Sequence, residues 1–217
     1  MMPEVARSAA RTFELRRFDR LDYATAWQMQ RERVARILEG RAVNLFVLLE
    51  HPPVYTLGRS GSRTEILDHR IPVVVSDRGG KATYHGPGQS VGYVVRDLRA
   101  SRYAVREHVG KLEETILRVL AACGVAAMRE EGHPGVWVDG AKIAALGVRI
   151  REGVAYHGFA INRSPDLAAF RGIVPCGLAD RPVTSLAALG RMVDRETLET
   201  RIIEALSEIF LIDWIQE

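Results

Sequence analysis

A chain of 217 residues, 47% hydrophobic and 26% charged, can bury a sizeable core without disulfides or structural metals. Its net charge of +3 suits a plain soluble surface at least as well as an acidic partner or an anionic ligand, and no dense Lys/Arg block interleaved with aromatics points to nucleic acid. Two cysteines, Cys123 and Cys176, are too few for a disulfide scaffold and are not at metal spacing, and no run of about 18 apolar residues could span a membrane; a reducing cytoplasm is the expected compartment.

The first residues lack an apolar signal core, and Glu4, Glu14 and Asp19 argue against a transit peptide. They read as a short tail leading into a strand over Thr12 to Phe18. The spacing of Tyr23, Trp27, Val34 and Leu38 then predicts a helix with Asp22 as its N-cap and Gly40 as its stop. Asn44 to Glu50 reads as a buried strand, His51 to Gly58 as another with its prolines at the start, and PVVVS and QSVGYVV as two more. An amphipathic helix is predicted from Tyr103 to Cys123, ended by Gly124. Asp139-Gly140 and Glu152-Gly153 mark turns between alternating strands, the last of which runs from Val154 to Asn162. A short helix and a loop, a helical pattern in VTSLAALG, and a helix capped by Asp194 close the chain. Hairpins among flanking helices imply an α+β fold with a mixed, mainly antiparallel sheet, built as one domain over residues 1–217.

The stretch RGGKATYHGPGQ, from Arg78 to Gln89, carries the densest chemistry. Its glycines let a backbone approach a ligand, and Arg78, Lys81 and His85 bring charge and exchangeable protons. It is neither a P-loop nor a G-x-G-x-x-G fingerprint, and glycines alone would equally mark a tight turn. Cys176 lies between Pro175 and Gly177, the setting of an exposed and reactive thiol, whereas Cys123 in LAACG reads as core packing. A nucleophilic thiol needs a base or a cation beside it. Lys142, the only lysine after Lys111, is one candidate; His85 and His157 are rivals, and the residues alone do not choose among them.

These segments, with AKIAALGVRI, YHGFAIN, IVPCG and EHPPVYTLG, resemble in the same order the lipoyl(octanoyl) transferases of lipoate biosynthesis, over about Leu49 to Leu186. The resemblance implies a fold like the biotin and lipoate protein ligases. It also implies an acyltransferase that moves an octanoyl group from octanoyl-acyl carrier protein to the acceptor lysine of lipoyl domains, those of 2-oxoacid dehydrogenase complexes and the glycine cleavage H protein. By position, Cys176 would carry the acyl group as a thioester and Lys142 would tune that thiol and shuttle protons. Substrate contacts would fall on Arg78, Gly79, Gly80, Lys81, Ala82, Thr83, Tyr84 and His85, on Ala145, Leu146 and Gly147, and on Gly158, Phe159 and Ala160. No metal or other cofactor is implied. This chain has Phe159 and Ile161 where the family often has leucine, and Ala145 in place of a serine found in some members. The rival readings are an ATP-dependent lipoate or biotin ligase of the same fold, which would not need Cys176, an amidotransferase moving octanoyl between protein lysines, and a silent binder of acyl carrier protein.

Overall fold

A computed structural model describes residues 11–101, 105–174 and 181–215. Eleven strands are assigned among them: β1 (Thr12–Arg20), β2 (Asn44–Glu50), β3 (Val54–Leu57), β4 (Val73–Val75), β5 (Ala82–His85), β6 (Gln89–Asp97), β7 (Met128–Glu130), β8 (His133–Val138), β9 (Ala141–Arg151), β10 (Val154–Asn162) and β11 (Asp213–Ile215). The main helices are α1 (Tyr23–Leu38), α2 (Val105–Ala122) and α3 (Arg195–Phe210). Eight strands form one sheet in the order β11-β1-β2-β6-β10-β9-β8-β7, and β4-β3-β5 form a second, smaller one. The pairs β1–β11, β1–β2 and β3–β4 are parallel, and the others are antiparallel. The sheet is therefore mixed and mainly antiparallel, as the hairpins implied.

Strand β2 explains the layering. Its side chains alternate between two cores. Leu45, Val47 and Leu49 pack with Ala26, Val34 and Ile37 of α1. Phe46 and Leu48 pack on the opposite face with Leu112 and Ile116 of α2 and Leu198 and Ile202 of α3. A third cluster joins Tyr55, Leu57, Ala82 and Tyr84 of the small sheet to Phe170 and Ile173. Helix α1 starts where Asp22 accepts the Thr25 N–H at 3.0 Å, a cap worth about 1 kcal/mol, and the chain leaves it through Gly40 at φ +69. Asp194 caps α3 in the same way through the Thr197 N–H at 2.8 Å. Among the described residues no helix is long and apolar enough to cross a membrane.

Two local expectations change. The helical pattern of VTSLAALG makes only a turn around Leu186 to Gly190. Its backbone donors are already used: Thr184 N–H bonds Lys142 O at 3.0 Å, Leu186 N–H bonds Asn162 O at 3.0 Å, and Ala187 N–H bonds Arg163 O at 2.9 Å. Second, the glycine-rich stretch is not loop throughout, since Ala82–His85 forms β5 and pairs with β3. The predicted helix start at Tyr103 lies outside the described residues; α2 is described from Val105.

Candidate active site

The glycine-rich stretch is held by its own arginine. Arg78 is buried, and its guanidinium donates to Thr56 O at 2.7 Å, Thr56 Oγ1 at 2.8 Å, Lys81 O at 2.6 Å and Gly79 O at 2.9 Å. This planar fork closes the loop around itself. The loop also lies against the edge of β9. Strand β8 pairs with β9 only as far as Ala144, whereas β10 stays paired along the whole of Ala144 to Arg151. The vacated edge is met by Gly79, whose N–H donates to Val148 O at 3.2 Å. A Cβ on Gly147 would sit 2.9 Å from Gly79 O, and one on Gly79 would sit 2.9 Å from Val148 O, so only paired glycines allow backbone to touch backbone here.

Lys142 projects from β9 beside this contact and is only 9% exposed. Its ammonium donates to Pro134 O at 3.1 Å and lies 4.6 Å from the centroid of the buried Trp137 ring. Its main chain does separate work. Lys142 N–H donates to Pro182 O at 2.9 Å, and Lys142 O accepts from Thr184 N–H at 3.0 Å. Lys142 thus fastens the chain just after residues 175–180. The chain just before them is fastened by Val174 N–H to Glu65 O at 2.8 Å and by the bridge between Ile66 and Ile173. Cys176 itself lies outside the described residues.

Behind Lys142 is a floor of rings. Tyr93 donates its hydroxyl to His51 Nε2 at 2.6 Å, while His51 Nδ1–H donates to Leu21 O at 2.6 Å. Burial pushes His51 down to about 4 and Tyr93 well above the usual phenol range. His85 stacks on Tyr23 with centroids 5.9 Å apart and donates Nδ1–H to Gln89 Oε1 at 3.2 Å. Burial, then the nearby His51 and Arg78, hold it far below its ordinary value. His157 adopts φ +62 inside β10, and its Nε2–H donates to Asp77 Oδ1 at 2.9 Å. Burial lowers its pKa against the opposing pull of Asp77. Burial raises the Asp77 carboxyl, but hydrogen bonds from His157 and Tyr156 outweigh it and leave the group below its ordinary value. At neutral pH the floor is therefore a set of neutral imidazoles.

Two cavities meet at Lys142. The inner one, about 50 Å³, takes Arg78, Gly80 to Thr83 and His85 from the loop, Lys142 and Ala145 to Gly147 from β9, and Gly158 to Ala160 from β10. The outer cleft, about 320 Å³, adds Gly79 and shares Gly80, Lys81, Lys142, Leu146 and Gly147 with the inner one. The structure thus gathers most of the residues singled out from the sequence. Among the described residues Tyr84 is the exception: its ring turns away, edge-on to Tyr55 and Phe170 in the third core cluster. Sequence reasoning missed Tyr23, Val91 and Tyr93 in the inner wall, Asp77 beneath His157, and the Pro134–Trp137 cradle of Lys142. Asp77 directly precedes Arg78, and that adjacency was the available clue.

An eight-stranded mixed sheet with its cavities against a glycine-rich loop is the architecture of a known class. The chain superposes on lipoate-protein ligase A bound with ATP with a TM-score of 0.75, at 18% identity, covering 94% of this chain and 88% of that one. The family model described as the lipoyl protein ligase A/B catalytic domain matches residues 22–207. Relatives called octanoyltransferase are far closer in sequence. One from Magnetococcus marinus is 52% identical over 177 residues, 82% of this chain and 84% of the relative. Another from Novosphingobium aromaticivorans is 49% identical over 205 residues, 92% of each. The chain belongs to the lipoyl protein ligase A/B catalytic domain family and, within it, to the octanoyltransferases, acyltransferases of protein lipoylation. The ATP-dependent ligase alternative shares the fold, and the sequence likeness favours the transferase.

Proposed function

We propose that this enzyme works in the cytoplasm as one catalytic domain, taking an octanoyl group from octanoyl-acyl carrier protein and passing it to the acceptor lysine of lipoyl domains through a thioester on Cys176. The acceptors are lipoyl domains of 2-oxoacid dehydrogenase complexes and the glycine cleavage H protein. The observation that carries this reading is the position of Lys142. Its ammonium stands where the two cavities meet, and its main chain fastens the flank of the segment that bears Cys176.

In this reading the acyl tail packs against apolar side chains of the inner cavity. Val91, Leu146, Phe159 and Ala160 line it. Burying an octanoyl tail at about 0.8 kcal/mol per methylene contributes about 5 kcal/mol. In the first half-reaction the Cys176 thiolate adds to the donor carbonyl, the donor C–S bond breaks, and Lys142 delivers the proton to the departing sulfur. In the second, the neutral amine of the acceptor lysine adds to the new thioester. Its proton leaves through Lys142, the Cys176 C–S bond breaks, and an amide remains. Amide formation from a thioester is downhill, so no nucleotide is consumed. The two tetrahedral oxyanions need N–H donors, and the Leu146 N–H, on the edge of β9 that β8 leaves unpaired, supplies one in this reading.

Intact mass after exposure to octanoyl-acyl carrier protein tests it. A single octanoyl adduct is expected on the native enzyme and on Cys123→Ala, and none on Cys176→Ala. Lys142→Arg keeps a positive charge that cannot cycle a proton near neutral pH; it is expected to retain iodoacetamide reactivity at Cys176 while losing turnover. An adduct on Cys176→Ala, or an alkylation pH profile unmoved by Lys142→Ala, would sink the assignment.

A further inference from the structure

We infer that the inner cavity also takes acyl chains bearing a hydroxyl on their distal carbons, and that His85 Nε2 accepts the hydrogen bond from that hydroxyl. The inference rests on the thioester reading above, with the acyl carbon at Lys142 and the tail in the inner cavity. It adds to that reading a second class of acyl donor and a residue that selects for it.

The proton on His85 is placed by its neighbours. Gln89 Nε2 donates to Tyr84 O at 3.3 Å and to Asn162 Oδ1 at 2.9 Å, and Asn162 Nδ2 donates to Thr184 O at 2.9 Å. Main-chain carbonyls can only accept, so both amides are fixed in this orientation. Gln89 Oε1 is then the atom that meets His85 Nδ1 at 3.2 Å, and Nδ1 carries the hydrogen. His85 Nε2 is left as a lone pair, with no partner among the described residues. It is not sealed off either. His157 Nδ1 and both ring nitrogens of His108 are fully buried without partners, and His85 Nε2 is not among such atoms. His85 keeps 7% of its surface open and lines the inner cavity. Burial, His51 and Arg78 hold its pKa far below the ordinary value, so Nε2 stays unprotonated at neutral pH.

Position selects the part of the ligand that reaches this atom. Lys142 lines both cavities, whereas His85 lines the inner one and not the outer cleft. A chain that starts at Lys142 and runs inward brings its later carbons to His85. The neighbouring polar atoms are already engaged: the Tyr93 hydroxyl with His51 Nε2 at 2.6 Å, the Tyr23 hydroxyl with Ser76 Oγ at 2.8 Å, and His157 Nε2 with Asp77 Oδ1 at 2.9 Å. A methylene that displaces water from His85 Nε2 leaves a lone pair unmatched, whereas a hydroxyl keeps the bond. An ionised carboxylate has no proton to give, and an ammonium would face Arg78 and Lys142 in the same cavity. A hydroxyl donates without bringing charge. In the transfer step the donor C–S bond breaks, the acyl carbon bonds Cys176 Sγ, the donor leaves as a thiol, and the hydroxyl is unchanged.

The test follows acylation of Cys176 by intact mass with the N-acetylcysteamine thioesters of octanoate and of 3-, 6-, 7- and 8-hydroxyoctanoate. A purely apolar pocket would penalise every added hydroxyl. One of the three distal alcohols is expected to have a specificity constant within about threefold of octanoyl, and the 3-hydroxy donor to be about tenfold slower or worse. The oxo analogue of the favoured alcohol has the oxygen but no hydrogen to donate, and is expected to be about tenfold slower than that alcohol. His85→Phe is expected to slow the favoured alcohol about tenfold relative to octanoyl, with octanoyl within about threefold of its native rate. Similar penalties for all four alcohols, a favoured 3-hydroxy donor, or an oxo analogue as fast as its alcohol would overturn the inference. These comparisons use the native enzyme and decide the matter even where His85→Phe does not fold. A loss in folded His85→Phe shared equally by alcohol and octanoyl would overturn it too. All of these outcomes leave the thioester reading intact, because octanoyl still acylates Cys176. Octanoyl that fails to acylate Cys176 would instead refute the thioester reading, and the hydroxyl site with it.

Discussion

Replacing His108 by leucine should stabilise this enzyme, and should do so more in acid than at neutral pH. His108 lies in α2, fully buried, edge-on to the Phe210 ring with centroids 5.7 Å apart. Among the described residues neither of its ring nitrogens has a hydrogen-bond partner. Burial, reinforced by Arg96 and Lys111, pushes its pKa from 6.5 to about 3. A histidine with a depressed native pKa is protonated first in the unfolded chain. Its neutral form therefore favours folding above the unfolded value of about 6.5, and that stability is lost as pH falls toward the native value. At about pH 5 the folded chain still excludes the proton while the unfolded chain holds it almost fully. Relative to about pH 7.5 the loss is about 2 kcal/mol. Leucine removes this loss, and also removes two buried unsatisfied nitrogens worth about 1–3 kcal/mol at any pH. Urea unfolding at the two pH values measures both effects. With a slope near 2 kcal/mol/M, the gap between variant and native midpoints should be about 1 M wider at the lower pH. An unchanged gap would mean that His108 keeps its proton in the fold, and the burial argument would fail. His51, lowered to about 4, loses stability over the same range, but its two hydrogen bonds make it a poorer site for replacement.

Gly147→Ala places a Cβ 2.9 Å from Gly79 O and should lift the glycine loop off β9, costing more than about tenfold in transfer rate; full activity would show that the backbone contact is dispensable. Ala160→Leu narrows the inner cavity and should shift the preference from octanoyl toward hexanoyl donors, read as a ratio of specificity constants; an unmoved ratio would remove Ala160 from the acyl wall. Trp137→Phe keeps a ring face near the Lys142 ammonium, whereas Trp137→Leu does not, so leucine should lose about 0.5–2 kcal/mol more in transition-state stabilisation. Equal specificity constants for the two folded variants would exclude the ring from that role.

The parts of the fold that were legible in the sequence are those decided within a few residues. Asp22, Asp139-Gly140 and Glu152-Gly153 set a helix start and two hairpins; the positive φ at Asp139, Gly140 and Gly153 is what those residue types tolerate, whereas Glu152 takes φ +49 against its type. Strand β2 ran from Asn44 to Glu50 as read, because a strand buried on both faces is apolar without interruption. Pairings across long separations were not legible. Nothing near Ala82–His85 announces that β3 will take it as a strand, and nothing near Asp213–Ile215 announces a parallel partner in β1. Tyr84 shows the same limit at the site. As one residue of a strand flanked by cavity-lining neighbours, it points to the opposite face, and period-two alternation would have placed it there had the strand been recognised. The ring floor was hidden for a different reason: Tyr23, His51, Tyr93 and His157 come from four separate segments and meet only through packing.

Two cations flagged by the sequence illustrate how one site divides its labour. Arg78 and Lys142 both line the inner cavity, yet they are held by different kinds of bond. The Arg78 guanidinium is bonded to Thr56, Gly79 and Lys81, all oxygens of the loop it belongs to or of the strand beneath it. Several donors in one rigid plane fix a backbone shape, and no proton need ever leave them. The Lys142 ammonium donates to the Pro134 carbonyl and lies over the Trp137 ring face, and it lines both cavities. A lysine could not close the loop as Arg78 does, and an arginine could not give up and recover a proton as the proposed transfer requires. The chain is rich in arginine and has only three lysines, Lys81, Lys111 and Lys142. Two of those three line the outer cleft, and the proposed transfer uses one of them, Lys142, for a proton that a guanidinium could not give up.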